Sequence, residues 1–425
     1  MNEQFGQAHV ADLPGDVDRR RAAAEAAVGV GLPSTETEEW RYSPIGDLES
    51  RLDDLSPVLS RPDGIGADDL AAVVADGHDG YADLVDRSAT VFMVDGWVID
   101  VTVEPGWAEK GLTIEVLSQA AAEAEGGEST LFDHLHRAFG PETLSIRTSQ
   151  GLTVREPIVI VNHQMSAARM TFPHIVVEAA DASDVQVVEF QTSAQGFGLS
   201  VPMVEIDVAQ AARVRYQTHQ DLLGERWQLA RQISSVGAQS TLTCGIAAFG
   251  ARYARVRTDS RLVGRGATGN LVAAYYGDGE QVHDFRTFQH HDDRDGRSDL
   301  LFKGAQDDTS GSVYTGLIHI HPGATGTNAF QTNRNIKLSP DAWAWSVPNL
   351  EIENNDVHCS HASTVSPLDT DQQFYLGSRG VPPVASDRLI VAGFFDEVIG
   401  RLPVESVHDA VRRRISNKLD RRTAS

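Results

Sequence analysis

The pattern of hydrophobic and polar positions divides the chain into three regions. Helical periods mark the first region, except for two apolar runs over 90–103 that meet at Asp95-Gly96, a pair typical of a hairpin turn. In the middle region helical periods disappear, and short runs rich in Val, Ile and Thr alternate with Gly, Asn and Asp. Helical signals return after Pro367. We therefore predict an N-terminal helical and α/β region, a β core and a C-terminal helical region, which span residues 1–142, 143–366 and 367–425.

A weak repeat runs through the β region. A small residue, usually Ala, stands three and five positions before residues that favour strands, and the steps between successive alanines are 29, 27, 29 and 57 residues. A period of this size without helices indicates a strand-built solenoid, because one coil cannot bury its apolar face until others stack on it. A β-sandwich or a β-barrel is the alternative. The alanines are Ala182, Ala211, Ala238, Ala267 and Ala324.

Helical patterns fill the C-terminal region. The segment TDQQFYLGSR predicts a short helix that stops near Gly380, and Ser386 is the expected start of a second helix that is apolar on most sides. A third helix carries apolar residues on one face and the basic run Arg412–Arg414 near its end. The apolar face consists of Val404, Val407, Val411, Ile415 and Leu419.

The composition of the chain limits which partners it is expected to bind and which cellular compartment it is expected to occupy. The 425 residues contain 60 acidic and 36 basic side chains, and this net charge of -24 argues against nucleic acid and anionic membranes as partners. Two cysteines do not form a disulfide framework, so we expect a reducing, cytoplasmic environment. No run of about 18 apolar residues is present, and the N-terminus lacks the apolar core of a signal peptide.

Candidate metal or cluster ligands are concentrated in the sequence HCSH. His358, Cys359 and His361 offer imidazole and thiolate groups, which bind transition metals and iron–sulfur clusters. On a strand, Cys359 and His361 would share one face. They supply two ligands where a closed site needs four, so the others would come from another segment or another chain. A buried cysteine flanked by solvated histidines is the alternative.

Other histidines and the second cysteine are weaker candidates. His319 and His321 would share a strand face, which suits a metal site as well as a solvated sheet surface. His290 and His291 are adjacent, so they would point to opposite faces, and we predict a solvated turn there. Cys244 lies among small and apolar residues and is predicted to be a buried structural thiol.

The common phosphate-binding and hydrolytic motifs are absent from the sequence. There is no GxxxxGK[ST] phosphate loop, no GxSxG nucleophile elbow and no HExxH zinc helix. We therefore do not expect the chain to hydrolyse ATP itself or to act as an enzyme of these classes.

Several segments, taken in order, resemble the SufB/SufD family of iron–sulfur cluster assembly scaffolds. They are HDFRTFQHH, FKGAQDDTSGSVYTGLIHIHPGATGTNAFQTNRNIKLSPDA, LEIENNDVHCSHAST and FYLGSRG. The segments EEWRY, VFMVDGW, GLTVREPIVIV and FFDEVIGRLP are similar to the SufD branch. The resemblance implies a mainly β protein with a right-handed parallel β-helix core. It also implies a SufB-type partner and a SufC ATPase that docks on the C-terminal helices.

The resemblance assigns roles to two residues. Its CSH motif corresponds to Cys359 and His361, and in SufD-like chains this histidine faces the partner and is a proposed cluster ligand. The SufB-like branch has a cysteine where this chain has Leu376. We therefore expect no stable cluster on this chain alone, but a transient iron–sulfur cluster at the interface with SufB. An isolated chain is expected either to await that partner or to form a homodimer.

Two other functions are compatible with a solenoid of this composition. A β-helix carbohydrate lyase or hydrolase would need acidic and basic residues that converge on an exposed groove. A stand-alone metal-binding protein would use His319, His321 and the cluster at 358–361.

Overall fold

Two long, mostly parallel sheets form the body of the protein, which is 44% strand and 24% helix. A computed structural model describes residues 9–66, 68–72, 79–84, 86–118 and 130–424. The strands are β1 Ser56–Pro57, β2 Ala89–Val94, β3 Trp97–Val103, β4 Leu112–Leu117, β5 Thr143–Thr148, β6 Ile158–Gln164, β7 Arg169–Thr171, β8 His174–Ala179, β9 Asp184–Ser193, β10 Gly198–Ser200, β11 Met203–Val208, β12 Arg213–Asp221, β13 Arg226–Val236, β14 Thr241–Ala248, β15 Tyr253–Leu262, β16 Thr268–Gly277, β17 Val282–His291, β18 Arg297–Gln306, β19 Gly311–Ile320, β20 Asn328–Lys337, β21 Trp343–Ile352 and β22 His358–Pro367. The helices are α1 Val17–Val30, α2 Ile45–Arg51, α3 Asp79–Asp83, α4 Trp107–Lys110, α5 Leu131–Phe139, α6 Thr370–Ser378, α7 Pro383–Ile399 and α8 His408–Ala424, with short 3-10 turns at His9–Asp12, Glu38–Trp40, Leu52–Asp54 and Glu405–Val407.

From β11 to β22, successive strands alternate between the two sheets, so that each coil adds one rung to both. The ten-stranded sheet has the order β22-β20-β18-β16-β14-β12-β9-β6-β2-β3, and the main path of the other sheet is β21-β19-β17-β15-β13-β11-β8-β5-β4. Paired residues stay in register along each rung, so equivalent positions stack into ladders. Inward ladders of Val, Ile, Leu and aromatic residues form the largest core cluster. The predicted parallel β-solenoid is confirmed, with about eight turns.

The repeat in the sequence corresponds to one corner of the coil. A residue with φ between 56° and 76° stands two positions before each of six successive strands of the ten-stranded sheet, where it turns the chain into the strand. Ala182 is one of them, and its amide donates to the carbonyl of Gln210 on the next coil over 2.9 Å. Ala267 instead is the small buried residue that follows such a position. The six residues are Ala182, Ala211, Gln239, Gly266, Asp295 and Gly326.

The N-terminal end of the solenoid is closed by antiparallel pairs and helices. β3 pairs with β2 and β4 pairs with β5, both antiparallel, and Asp95-Gly96 forms the predicted hairpin turn with positive φ at both residues. Helix α5 begins with a capping box between Thr130 and Asp133. Trp40 packs 5.8 Å from Phe132 of this helix, measured between ring centroids. Both residues belong to a second core cluster with Trp227, Tyr253 and Val282, near the starts of β13, β15 and β17.

The C-terminal helices lie on the flank of the solenoid, where α7 contacts β16 and β18. All five apolar residues predicted for the last helical face are buried, but α8 begins at His408, so Val404 and Val407 precede the helix. Ser386, however, is not the start of its helix, because α7 begins at Pro383 and Ser386 is buried within it. Proline suits the first turn because its missing N–H would have no helical partner there. Ion pairs Arg414–Asp221 (2.6 Å) and Lys418–Asp278 (2.8 Å) attach α8 to the coils.

A glycine on β18 provides a test of the packing between coils. A Cβ atom on Gly304 would lie 2.6 Å from Oδ1 of Asn335 and closer still to the ring of Tyr275. Overpacking of this kind costs about 1–3 kcal/mol, so Gly304→Ala should lower the midpoint of thermal unfolding. Gly393→Ala is the matched control, because that position lies within α7 with no atom within 4 Å. Equal midpoints for the two variants would contradict the packing described here.

Candidate functional site

The C-terminal end of the solenoid is open. β22 pairs with β20 and β21 pairs with β19, and no other described strand pairs with their outer edges. Most side chains of β22 are exposed, as are those of Phe330, Trp345 and Val365. Unpaired strand edges with exposed apolar side chains recruit further strands unless they are covered. The open end is therefore the surface most suited to another polypeptide.

Cys359 and His361 lie on this last rung and face the interior of the solenoid. In the register of β20 and β22, Cys359 is aligned with Ala329 and His361 with Gln331, both of which are buried. Residues aligned in this way share a face, so Cys359 and His361 point in the same direction, as the sequence predicted. His361 is nevertheless exposed, because no later coil covers it. His358 lies one position before Cys359 and three positions before His361, so its side chain points to the opposite, outer face of the sheet.

The two candidate ligands differ in their readiness to bind a metal. Cys359 is partly buried against a small cluster that includes Ile318 and Ala329. Burial raises the pKa of its thiol, partly offset by a hydrogen bond from the backbone of Ala329, so the group is mainly protonated at neutral pH. The imidazole of His361 is at the surface and is the more accessible of the two.

The floor beneath His361 is polar. Gln331 is buried one rung below, and its amide nitrogen donates to the hydroxyl of Tyr314, while its Oε1 is buried without a hydrogen-bond partner. Deeper in the interior, Asn333 donates to the hydroxyl of Tyr275 over 3.1 Å, and that hydroxyl donates to Asn335 over 2.9 Å. Sequence reasoning missed this network because its members lie on different coils.

The second cysteine has a structural role. Cys244 is buried, and Nε2 of Gln232 donates to its sulfur over 2.8 Å. Burial raises the pKa of its thiol to about 12, so it is not a thiolate at neutral pH. The prediction of a buried structural cysteine is confirmed. Leu376, at the position where SufB-like chains have a cysteine, lies in α6 and lines a groove of about 980 Å³ with Arg334 and Thr364.

The other histidine positions differ in part from the expectation. His290 and His291 are not in a solvated turn, because they are the last two residues of β17. His291 is buried and its Nε2 lies 2.9 Å from the hydroxyl of Ser298. His290 faces outward and meets His319 and His321 in the one group of three close metal-ligating side chains found among the described residues. The 358–361 cluster does not belong to this group, so the ligand set expected for a stand-alone metal protein is not assembled.

Residues 160–394 match the family model of the SufBD core domain, which belongs to the SUF system for iron–sulfur cluster assembly. This chain belongs to the SufB/SufD family. A SufBD family iron–sulfur cluster assembly protein of Mycobacterium tuberculosis is 31% identical over 291 residues, which cover 67% of this chain and 72% of the relative. SufD of Bacillus subtilis is 28% identical, covering 64% of this chain and 63% of the relative. SufD of Escherichia coli is 23% identical over 92% of this chain and 90% of its own length.

The relatives confirm the resemblance found in the sequence. They support the SufD branch and a role in iron–sulfur cluster assembly by the SUF system. In the part of the chain that the structure describes, no helix is both long enough and apolar enough to cross a membrane.

Proposed function

We propose that this chain is a SufD-type scaffold subunit that pairs with a SufB-type chain through its open solenoid end, in the cytoplasm. The observation that carries the proposal is the position of His361, which faces the interior of the solenoid but remains exposed at an unpaired edge. There it presents one imidazole to whatever covers the end. A nascent iron–sulfur cluster is the cargo of the joint site, and no stable cluster is expected on this chain alone.

The backbone of β22 supports pairing by strand addition. The amide of His358 donates to the carbonyl of Thr327 next to β20, over 2.9 Å. In parallel sheets the direction of N–H and C=O groups alternates along a strand, so the groups of Cys359, His361, Ser363 and Val365 point to the free edge. A partner strand that bonds to these groups would lie beside His361. When the chain is isolated, a second copy offers the same edge, and pairing of the two edges is the proposed route to a homodimer.

Metal ligation at the proposed interface between the open end and the SufB-type chain is then shared between two chains. His361 offers an imidazole, and a SufB-type partner offers thiolate or carboxylate, the groups that complete a four-ligand set with iron. Cys359 stands two residues away on the same face, but its raised pKa makes it the weaker ligand until a metal displaces the proton. The chain acts as a scaffold, and the ATP-hydrolysing step belongs to another subunit.

The C-terminal helices form the surface proposed to dock the SufC ATPase. α6 and α7 expose four large apolar side chains, with exposed fractions between 55% and 79%, which are Phe374, Tyr375, Val384 and Leu389. Large apolar side chains exposed on two neighbouring helices are typical of an interaction site. β22 ends at Pro367 and α6 begins at Thr370, so movement of the docked ATPase would be passed directly to the strand that carries His361.

Co-expression with the SufB-type and SufC-type chains of the same genome tests the proposal. We expect a complex that contains all three chains and that holds iron and acid-labile sulfide after anaerobic reconstitution. The isolated chain should retain no acid-labile sulfide. If the three chains do not co-purify, or if the isolated chain alone holds as much iron and sulfide as the complex, the proposal is wrong.

A substitution on α7 separates the two interfaces. Leu389→Asp places a charge in the exposed apolar surface, so the amount of ATPase that co-purifies should fall by about tenfold or more, while pairing with the SufB-type chain is unchanged. Val116→Asp is the matched control, because Val116 is an exposed apolar residue on β4 at the other end of the solenoid. Equal recovery of ATPase with both variants would exclude this helix as the docking surface.

A further inference from the structure

Three histidines from two successive coils meet on the outer surface of the twelve-stranded sheet. His290 on β17 is aligned with His319 on β19, and His321 follows two residues later. Their ring centroids are 5.4 Å apart for His290 and His319, 5.9 Å for His290 and His321, and 4.0 Å for His319 and His321. One ring nitrogen of each lies within 4.8 Å of those of the other two. Three imidazole nitrogens are thus close enough to share one ion.

Carboxylates surround this histidine group. Nε2 of His319 lies 2.8 Å from Oε1 of Glu353, and Nε2 of His321 lies 3.2 Å from Oδ1 of Asp292. Histidines that bind a metal through one ring nitrogen usually present the other to a carboxylate, which fixes the tautomer and the ring orientation. Each of these carboxylates can also serve as a ligand itself. Asp292 is held in place by Arg261, whose Nε donates to Oδ2 over 3.0 Å.

The group is half-buried, and one of its ring nitrogens has no hydrogen bond. The side chain of His319 is 16% exposed, and Nε2 of His321 is buried without a hydrogen bond, because the geometry toward Asp292 is unsuitable for one. This nitrogen has lost its hydration without a hydrogen bond to replace it.

We propose that His290, His319 and His321 bind one divalent first-row transition ion of the Zn²⁺ or Fe²⁺ type, with a carboxylate oxygen of Asp292 or Glu353 as the fourth ligand. Imidazole suits both ions, and a set of three nitrogens and one oxygen fills a tetrahedral sphere. Ca²⁺ and Mg²⁺ are unsuited, because they prefer sites made entirely of oxygen ligands. The site is separate from the proposed interface at His361, and it does not depend on the proposed scaffold function.

The proposed site lies where a bound ion would connect successive coils of the solenoid. Asp292 follows β17, His321 follows β19 and Glu353 follows β21, which is the last strand of its sheet. An ion held by these residues would link successive coils at the end of the solenoid that lacks a cap. Because the ion binds the folded chain and not the unfolded one, it would raise the midpoint of thermal unfolding.

The test uses the purified full-length chain after dialysis against EDTA. Titration with Zn²⁺ alone, and separately with Fe²⁺ under anaerobic conditions, should each reveal one saturable site per chain. Co²⁺ serves as the spectroscopic probe, since its visible absorption reports four-coordinate geometry. His319→Asn should weaken binding by at least about tenfold, because loss of even an outer-shell partner costs 10–100-fold. In the same variant, the added ion should no longer raise the midpoint of thermal unfolding.

Control variants separate this site from other histidines. His134→Asn changes a half-buried histidine on α5, and His358→Ala/His361→Ala removes both histidines of the open end. Both should bind the ion as the wild type does. His321→Asn is the second variant, in case His319→Asn fails to fold, because His321 lacks a hydrogen bond that the change would break. Wild-type affinity in the His319 or His321 variant, loss of binding in the His358/His361 variant, or no saturable binding of any of the three ions would overturn the proposal.

Discussion

His361→Ala is expected to lower the iron and acid-labile sulfide content of the reconstituted complex with the SufB-type chain by at least about tenfold. The reason is that His361 is exposed on the interior-facing side of β22, the last strand of its sheet. Its imidazole can reach a metal there, but its side chain does not pack in the core. Its loss therefore removes a ligand without leaving a cavity in the core. Iron and sulfide analysis of the purified complex, together with its mass, measures the effect.

His358→Ala is the matched control for this substitution. His358 lies on the same strand three residues earlier, is also exposed, and faces the opposite side of the sheet. It should leave both cluster content and assembly unchanged. The unfolding midpoint of each isolated variant should stay close to that of the wild type, since exposed substitutions change stability by about 0.5 kcal/mol or less. Full iron and sulfide content in the His361→Ala complex would remove the role assigned to this residue.

The class of fold could be predicted from the sequence, but the length of each coil could not. The left-handed corner residues from Ala182 to Gly326 are separated by 29, 28, 27, 29 and 31 residues. Corners tolerate such insertions because they lie on the surface and bear no ladder of side chains. A fixed period therefore drifts out of register, and the alanines seen in the sequence mark the corner without occupying one equivalent position.

This drift explains why His290 was missed as a partner of His319. The two residues are aligned across neighbouring strands, a relation that depends on the register of the coils and not on local spacing. The pair His290-His291 was correctly expected to point to opposite faces, since that follows from strand geometry alone. The local pattern does not say which of the two faces outward. In the structure His291 is buried in the interior, so His290 is the one that faces outward.

The open end shows a similar division between local and global information. Strand geometry alone placed Cys359 and His361 on one face. Their difference in exposure is not local, because Cys359 packs against residues of β19 and β20, whereas His361 is uncovered only because β22 is the last rung. The conclusion that His361 is available to another chain therefore rests on the architecture.

The second large effect is expected for the double variant Ser363→Pro/Val365→Pro, which should weaken pairing with the SufB-type chain by about 5–150-fold. Both residues direct their backbone N–H to the free edge, by alternation from His358, so proline removes two donors that a partner strand would use. Each lost hydrogen bond costs about 0.5–1.5 kcal/mol, which gives the stated range. Pro367 lies two positions after Val365, so its backbone nitrogen also points to the free edge. Proline at such positions is therefore compatible with the pairing between β22 and β20.

Ser363→Ala/Val365→Ala distinguishes the backbone from the side chains, because it removes the same side chains but keeps both N–H groups. It should pair with the SufB-type chain nearly as the wild type does, as judged by analytical ultracentrifugation or by titration of one chain with the other. Equal weakening in both double variants would assign the interface to side-chain contacts and exclude strand addition. Wild-type pairing in the proline variant would place the partner elsewhere, and His361 would then lose the neighbour that completes its coordination sphere.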